Sequence, residues 1–422
     1  MTNNSTIKQN NSEGLQKSIQ LLEIESSKAV TSDSGITTVS FFTTTDFSEV
    51  KKQLKHNIIQ VLKANPWLVG RLIKIKDQPL LQLQYTDNIS EAQVDEIFND
   101  ELQIAIKLEM PFPEICKQII KNKSAMISSG LSLINKDKSL IRLSVSHISD
   151  NQYALIYSLS HTIADGSTFY RTQNMLFGGE KITALNPIRK QNYSMEKAVG
   201  KTDNAFVFYV SFTLNVLNSL IFGRKPKFFS YYINEESIKS TKAEFTGNTE
   251  IPYISTNDII SSSFMRAVKA RLGMIVINFR NRFPNVDLDD AGNYEGVKLY
   301  DAPIYNTPEG IRKSLLGEIP YKTLMNKIPG TWERTHLRMA QVNNWASFSG
   351  GFALENCQLQ LHLPIIPSTI PFDIAVLYRP KLNRTAILIL SKNHNKAFYI
   401  NNPNNPLSQY LGKPVSETVF ND

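Results

Sequence analysis

The sequence predicts an α/β protein of two domains, and three observations lead to this prediction. The chain has 422 residues, which is too long for one compact core and fits two. Uncharged apolar runs typical of strands recur along it, and segments with helical spacing of apolar residues lie between them. The clearest run, residues 153–159, leads through a short polar turn directly into a helical pattern. We therefore expect strands and helices to alternate around this turn.

The turn at residues 160–166 carries the side chains on which the functional prediction depends. Its helix is expected to be capped by Ser167 or Thr168 and to end at residues 178–179, both glycine. A strand-to-helix turn is rigid, so it can present a side chain to a ligand. His161 is the one side chain in this turn that exchanges a proton readily near neutral pH.

An imidazole at such a place suits a general base that activates a hydroxyl, amine or thiol, which makes His161 the catalytic candidate. Asp165 can fix the turn by accepting backbone N–H groups or by pairing with a distant arginine. Gly166 removes a side chain where the turn must be tight. Two alternatives stay open: a core histidine beside an N-capping aspartate, and a metal site with His147 as a further ligand.

Composition narrows the class of protein. Two cysteines, Cys116 and Cys357, form neither a disulfide framework nor a metal-ligand pattern, so we expect a reducing, cytoplasmic location and no metal. The net charge of +8 suits an anionic donor or an anionic membrane surface. Scattered lysines argue against nucleic-acid binding. The polar residues 1–20 are interpreted as a flexible tail without the apolar core of a secretory signal.

Several further elements follow from local patterns. Helical spacing at residues 54–62 is stopped by Asn65 and Pro66, and the passage that follows is interpreted as packing. A hairpin is expected around Asp150, where two strand-like runs meet. Further elements are predicted as strands at residues 80–85, 125–134, 140–145, 273–282 and 339–348, and as a short closing helix at 407–411.

The segment SLSHTIADGSTF, residues 158–169, resembles the His-x-x-x-Asp-Gly motif of the CoA-dependent acyltransferases related to chloramphenicol acetyltransferase and condensation domains. It looks most like the BAHD branch. Condensation domains usually carry a second histidine where this chain has Ser160. Three further elements occur in family order between about residues 54 and 390: STND at 255–258, INFR…GN from 277 to 293, and NNW at 343–345.

This resemblance implies roles for individual residues. Ser255, Thr256 and Asn257 would lie along the CoA donor, although a helix cap explains them equally well. Arg280 would form a two-pronged ion pair with Asp165 and support the catalytic turn. Asn343 would donate to the reacting oxyanion, and Trp345 would form the tunnel wall. Core packing is the alternative for these last two residues.

The hydrophobic residues 205–222 carry no charge and are followed by a basic cluster. Their polar side chains make a poor membrane span, so a buried or membrane-touching helix is the preferred interpretation. The family's Asp-Phe-Gly-Trp-Gly motif has no counterpart in SGGFALENCQLQLHLP, residues 349–364. We therefore expect a sister branch of the superfamily.

The resemblance implies two chloramphenicol-acetyltransferase-like α/β domains with mixed sheets and a tunnel at their interface. We expect an N-terminal domain at residues 21–195, a crossover with a hydrophobic helix at 196–226, and a C-terminal domain at 227–422. The implied function is transfer of an acyl group from acyl-CoA to a hydroxyl or amine. We expect a monomer, no permanently bound cofactor, and a small-molecule acceptor, for which the hydrophobic residues 205–222 favour a lipophilic acceptor or acyl chain.

Two other functions stay open. One is a binding or assembly protein that keeps the fold without turnover, motivated by the missing Asp-Phe-Gly-Trp-Gly motif. The other is a condensation enzyme that uses a carrier-protein thioester. Peripheral contact with an intracellular membrane through residues 205–222 is an alternative to a wholly cytoplasmic location.

Overall fold

A computed structural model describes residues 16–194, 225–316, 337–349, 351–367 and 372–420, with the isolated positions 197, 198, 210, 213–215, 217, 218, 221, 332, 333 and 370. Its strands are, in chain order, β1 (Lys17–Gln20), β2 (Ile36–Thr44), β3 (Arg71–Ile73), β4 (Gln82–Tyr85), β5 (Phe98–Asn99), β6 (Ile141–Ser149), β7 (Gln152–Leu159), β8 (Lys227–Ile233), β9 (Leu272–Asn278), β10 (Glu295–Tyr300), β11 (Met339–Asn344), β12 (Cys357–Pro364), β13 (Asp373–Lys381), β14 (Arg384–Ser391) and β15 (Leu411–Pro414).

Helices connect and cover these strands. They are α1 (Glu23–Ser26), α2 (Lys28–Thr31), α3 (Phe47–Ala64), α4 (Glu91–Ile97), α5 (Phe112–Lys121), α6 (Gly130–Leu133), α7 (Gly166–Leu176), α8 (Glu235–Glu244), α9 (Thr256–Ala267), α10 (Ala302–Tyr305), α11 (Pro308–Leu316) and α12 (Lys396–Ile400). Short 3-10 turns occupy Pro66–Val69 and Ser408–Tyr410.

The strands form two large sheets and one small sheet. The first sheet has the order β12-β2-β7-β6-β5, and the second has the order β10-β9-β11-β13-β14-β8-β15. Both are mixed: β5 runs parallel to β6, and β11 runs parallel to β9 and β13, whereas the other pairings are antiparallel. The small sheet is β1-β4-β3. The predicted fold class, α/β with mixed sheets, is confirmed.

Apolar packing joins the two large sheets. Each sheet has its own buried cluster against its helices. A third cluster contains Phe41 and Ile156 of the first sheet together with Leu272 and Ile374 of the second. Because burial of apolar surface is favourable in proportion to the area removed from water, this shared cluster helps to hold the two sheets together. It fixes the relative position of the two strand ends that form the site.

The strand β12 lies in the first sheet, although the sequence prediction assigned residues 227–422 to the second domain. It pairs antiparallel with β2, with Leu363 opposite Val39. Leu361 and Leu363 are buried, which is why this segment leaves the second domain to cover the free edge of β2. The segment 349–364, in which the Asp-Phe-Gly-Trp-Gly motif has no counterpart, therefore supplies a strand of the first sheet. The remaining domain boundaries stay a prediction.

Some predicted elements have other bounds or another structure. Residues 17–20 form β1, so the predicted tail at 1–20 includes a strand. Residues 125–134 were predicted as a strand, but they form an irregular segment and α6, because a short apolar run is equally compatible with buried non-strand structure. The strands predicted to reach 282 and 348 end at Asn278 and Asn344. The closing helix is the 3-10 turn Ser408–Tyr410.

The predicted hydrophobic helix at residues 205–222 falls mostly outside the described residues. Where the structure does describe the chain, none of its helices combines the length and the apolar character needed to cross a membrane.

Candidate active site

The turn between β7 and α7 begins the site. Asp165, rather than Ser167 or Thr168, caps the helix: its Oδ1 accepts the backbone N–H of Thr168 at 2.9 Å. The helix therefore starts at Gly166, which lies against Trp345: an added Cβ would lie 3.4 Å from the indole Nε1, an ordinary van der Waals distance. Trp345 thus lies beside the turn that carries His161, and its role as a tunnel wall stays a prediction.

Arg280 holds this turn from the second domain. Its Nη1 donates to Asp165 Oδ2 at 2.6 Å, and both side chains are 1% exposed. The expected two-pronged pairing is wrong, because the other nitrogens donate to Thr168 Oγ1 and to the carbonyls of Asp290 and Gly292. A buried guanidinium needs such a full set of acceptors. The pair links the end of β9 to the first domain.

A second buried ion pair, which the sequence reasoning missed, braces the same turn. Arg189 Nε lies 3.0 Å from Glu25 Oε2, with both side chains fully buried, and Arg189 Nη2 donates to the carbonyl of Ile163. Glu25 also accepts the backbone N–H of Asn293 at 3.0 Å. The partners lie far apart in sequence and match no local pattern. Gly292 has a φ of 131° here, and a Cβ would lie 2.8 Å from Arg189 Nε.

His161 faces the second domain. Its Nε2 lies 3.6 Å from Glu295 Oε1, and its side chain is 20% exposed, so the ring is not sealed. Its Nδ1 is buried without a hydrogen-bond partner. Burial lowers the pKa of His161, but the nearby carboxylates, first Glu295 and then Asp33, raise it, and the net direction is upward. The ring therefore holds a proton more strongly than a free imidazole.

Glu295 is a candidate that the sequence prediction did not include. It is the first residue of β10, two positions after Asn293 of the Gly-Asn element. Burial raises the pKa of its carboxyl to about 7, although the charge of His161 opposes this shift. Within the described structure, its ion-pair partner is His161 alone. The sequence signal that could have identified Glu295 is an acidic residue at the start of an otherwise apolar strand.

A cavity of about 310 Å³ reaches this carboxylate. Asp165 and Ser167 of the first domain line it, together with residues of the second domain that include Glu295 and Arg282. His161 is not among the lining residues, but its Nε2 lies 3.6 Å from the carboxylate of Glu295, which lines the cavity. The cavity occupies the predicted position between the domains.

Asn343, Asn344 and Trp345, at the end of β11, line the same cavity. Asn343 Oδ1 accepts a hydrogen bond from Gln341 Nε2 at 2.8 Å. This contact orients the amide so that its NH₂ group is the part left to donate. Asn343 therefore lines the cavity with donor capacity, and its role towards an oxyanion stays a prediction.

The three residues expected along CoA separate into two groups. Ser255 caps α9: its Oγ accepts the N–H of Asp258 at 3.2 Å, and Thr256 Oγ1 accepts from Lys242 at 2.9 Å. Asn257 instead lines the cavity, and its buried Oδ1 has no hydrogen-bond partner. The helix-cap interpretation thus describes Ser255, whereas Asn257 is available to a ligand.

His147 and the cysteines lie away from this chemistry. His147 is exposed on β6 and opposite Tyr153, at the other end of β7 from His161, so it cannot share a metal with it. No group of three His, Cys, Asp or Glu within the described ranges is arranged to hold a metal ion. Burial raises the pKa of the thiols of Cys116 and Cys357 to about 12 and about 11.

No protein-family model and no curated protein matches the chain. Solved structures do match. F. graminearum TRI101 bound to ethyl coenzyme A has a TM-score of 0.58 at 12% identity, over 95% of this chain and 100% of that chain. The trichothecene 15-O-acetyltransferase TRI3 from Fusarium sporotrichioides has a TM-score of 0.58 at 10% identity, over 94% and 96%.

Polyketide synthase associated protein 5 from Mycobacterium tuberculosis has a TM-score of 0.52 at 14% identity, over 90% of this chain and 93% of that chain. These similarities extend over nearly the whole chain, at identities that carry the fold alone. The protein has the two-domain α/β fold of these structures.

Proposed function

We propose that the protein is an acyltransferase that moves an acyl group from acyl-CoA to a hydroxyl or amine acceptor, with His161 as general base. The observation that carries this proposal is the position of His161. Its imidazole stands at a strand end, on a turn braced by two buried ion pairs, and lies 3.6 Å from a carboxylate that lines an interdomain cavity. The structural similarity to CoA-bound TRI101 supports acyl-CoA as donor.

The proposed reaction needs no covalent enzyme intermediate. His161 removes the acceptor's proton as the acceptor attacks the thioester carbon. The amide of Asn343 donates to the oxygen that becomes negative, a contribution of about 3 kcal/mol for one such donor. The tetrahedral intermediate then collapses, the C–S bond breaks, and the imidazolium gives its proton to the CoA thiolate.

A cysteine nucleophile fits the structure less well. A thiolate is the attacking species, and burial raises the pKa of both cysteine thiols well above neutral pH. Cys116 and Cys357 are also absent from the cavity lining. The base-assisted, direct transfer is therefore the proposed mechanism.

The test is release of free thiol from acetyl-CoA and longer acyl-CoAs in the presence of hydroxyl and amine acceptors, with products identified by mass spectrometry. We expect His161→Ala to lose at least about 100-fold in rate. His147→Ala is the matched control, because His147 is exposed at the far end of β7. Full activity of His161→Ala would remove the imidazole from the mechanism.

Binding is measured separately by titrating CoA into the protein. CoA binding without thiol release would favour the alternative of a binding or assembly protein. Absence of both CoA binding and thiol release would refute the donor assignment.

A further inference from the structure

The carboxylate of Glu295 stands beside the general base, and the proposed transfer does not itself require it. Its Oε1 lies 3.6 Å from His161 Nε2, which is longer than a hydrogen bond. In the tautomer that carries its proton on Nδ1, which a base acting through Nε2 requires, the neutral imidazole accepts at Nε2, and the ionised carboxylate also accepts. A ligand atom that bridges them must therefore donate to both, and a hydroxyl has one hydrogen whereas an amine has two or more.

The charges around this gap favour a cation. Arg280 donates to Asp165, Thr168 and two backbone carbonyls, so it forms no ion pair with Glu295, although its positive charge lowers the pKa of that carboxyl. Asp33 and Asp165 act on His161 in the same direction as Glu295. On the remaining side, the hydroxyl of Tyr193 donates to the backbone carbonyl of Glu295 and not to its carboxylate.

Arg282 is the other charged side chain at the cavity, and it is exposed to solvent. The Glu295 side chain is only 29% exposed, so its charge is incompletely solvated, and a bound ammonium group would neutralise it. The arrangement of fixed charges is therefore complementary to a cationic acceptor.

The number of proton acceptors at this position also equals the number of protons that an alkylammonium acceptor must lose. An alkylammonium must lose one proton to become a nucleophile and a second one as the amide forms, whereas a hydroxyl loses one in total. Glu295 and His161 are two proton acceptors at adjacent positions. Resting on the acyl transfer proposed above, we propose that the acceptor is a primary amine whose nitrogen binds between Glu295 and His161.

The steps balance as follows. The carboxylate of Glu295 takes a proton from the ammonium, and the neutral amine attacks the thioester carbon. His161 removes the second proton, the C–S bond breaks, and the imidazolium protonates the CoA thiolate. The products are an amide and free CoA, and Glu295 releases its proton to solvent.

The first experiment compares matched acceptors that differ only in the nucleophilic atom: benzylamine against benzyl alcohol, and hexylamine against hexanol, each with acetyl-CoA. We expect kcat/KM to be higher for the amine in each pair, and Glu295→Gln to lower the amine-to-alcohol ratio by at least about tenfold. Glu101→Gln, which changes an exposed carboxylate, is the control and should keep the ratio.

Two results of this comparison would overturn the inference. One is a preference for the alcohols in the wild-type protein. The other is an equal loss for amine and alcohol in Glu295→Gln, because that would make Glu295 a residue that acts only through His161.

A second measurement separates this inference from the acyl transfer itself. Benzylamine is titrated into the wild-type protein and into Glu295→Gln, and CoA is titrated into both. We expect benzylamine to bind at least about tenfold more weakly to the variant, while CoA binding is retained. Failure of CoA binding and of thiol release refutes the acyl transfer. Benzylamine binding that is absent, or independent of Glu295, refutes the amine proposal.

Discussion

Arg280 Nη1 lies 2.6 Å from Asp165 Oδ2, and through this contact the second domain holds the turn that carries His161. Asp165→Asn would leave the guanidinium buried without its counter-charge. We expect the free energy of unfolding to fall by about 3–5 kcal/mol. Urea unfolding followed by circular dichroism measures the loss.

The control for this prediction is Asp289→Asn, which breaks the pair with Arg171, where the aspartate is 70% exposed. That change should cost less than about 1 kcal/mol, because solvent screens the charges. Equal losses in the two variants would contradict a special role for the buried pair.

Asn257 and Ser255 should separate ligand binding from helix capping. Asn257→Ala removes an amide that lines the cavity and has an unpartnered oxygen, so we expect the Kd of CoA to rise by up to about tenfold with little change in stability. Ser255→Ala removes the cap of α9, so we expect a loss of about 1 kcal/mol in unfolding free energy and an unchanged Kd. Calorimetric titration and urea unfolding give the two quantities. A raised Kd for CoA in Ser255→Ala, together with an unchanged Kd in Asn257→Ala, would instead place Ser255 at the donor site.

The pH dependence of turnover should depend on Glu295. The base must be neutral, so kcat/KM falls as the pH drops through the pKa of His161. Although burial lowers this pKa, the Glu295 and Asp33 carboxylates raise it above its ordinary value of 6.5. Glu295→Gln removes one negative charge, destabilises the imidazolium, and should move the acid limb to lower pH. A profile of kcat/KM against pH tests this, and an unmoved or upward-shifted limb would contradict it.

His362 should make stability sensitive to acid. It is buried on β12, with its Nδ1 2.8 Å from Ser40 Oγ and its Nε2 3.3 Å from the hydroxyl of Tyr170. Burial lowers the pKa of this imidazole from 6.5 to about 4. The unfolded chain thus binds a proton that the folded protein does not. The resulting stability is complete above the unfolded pKa and is lost as the pH falls through 6.5 towards about 4.

This pKa difference corresponds to about 3 kcal/mol between neutral pH and about pH 4. His362→Gln should remove that part of the acid destabilisation, as measured by urea unfolding at a series of pH values. His147→Gln, at an exposed position, should keep the wild-type dependence. Parallel curves for the wild type and His362→Gln would refute the assignment.

The β7-turn-α7 unit could be predicted from sequence because all its signals are local. An uncharged apolar run gave the strand, and the glycine at 178 gave the end of the helix. Asp165 and Arg280 are 115 positions apart, and only the family resemblance connected them. Glu25 and Arg189 lay beyond both kinds of reasoning, because no local pattern distinguishes a buried ion pair from two surface charges.

Glu295 was missed for a similar reason. An acidic residue at the start of a strand normally faces solvent, and its burial here depends on the first domain covering β10. The course of β12 was equally hidden, because its apolar pattern specifies a strand and not the sheet that it joins. Local sequence therefore predicted the turn that carries His161, whereas the electrostatic surroundings of this turn depend on how the domains pack.

The pairing of β12 with β2 in the first sheet has a consequence for biosynthesis. Residues 357–364 complete the edge of β2, so the first sheet stays unfinished on the ribosome until most of the polypeptide has emerged. A truncated product that stops before this strand would expose the hydrogen-bonding edge of β2 and invite aggregation. The two halves are for this reason poor candidates for modular shuffling, because the first half depends on the second for a complete β-sheet.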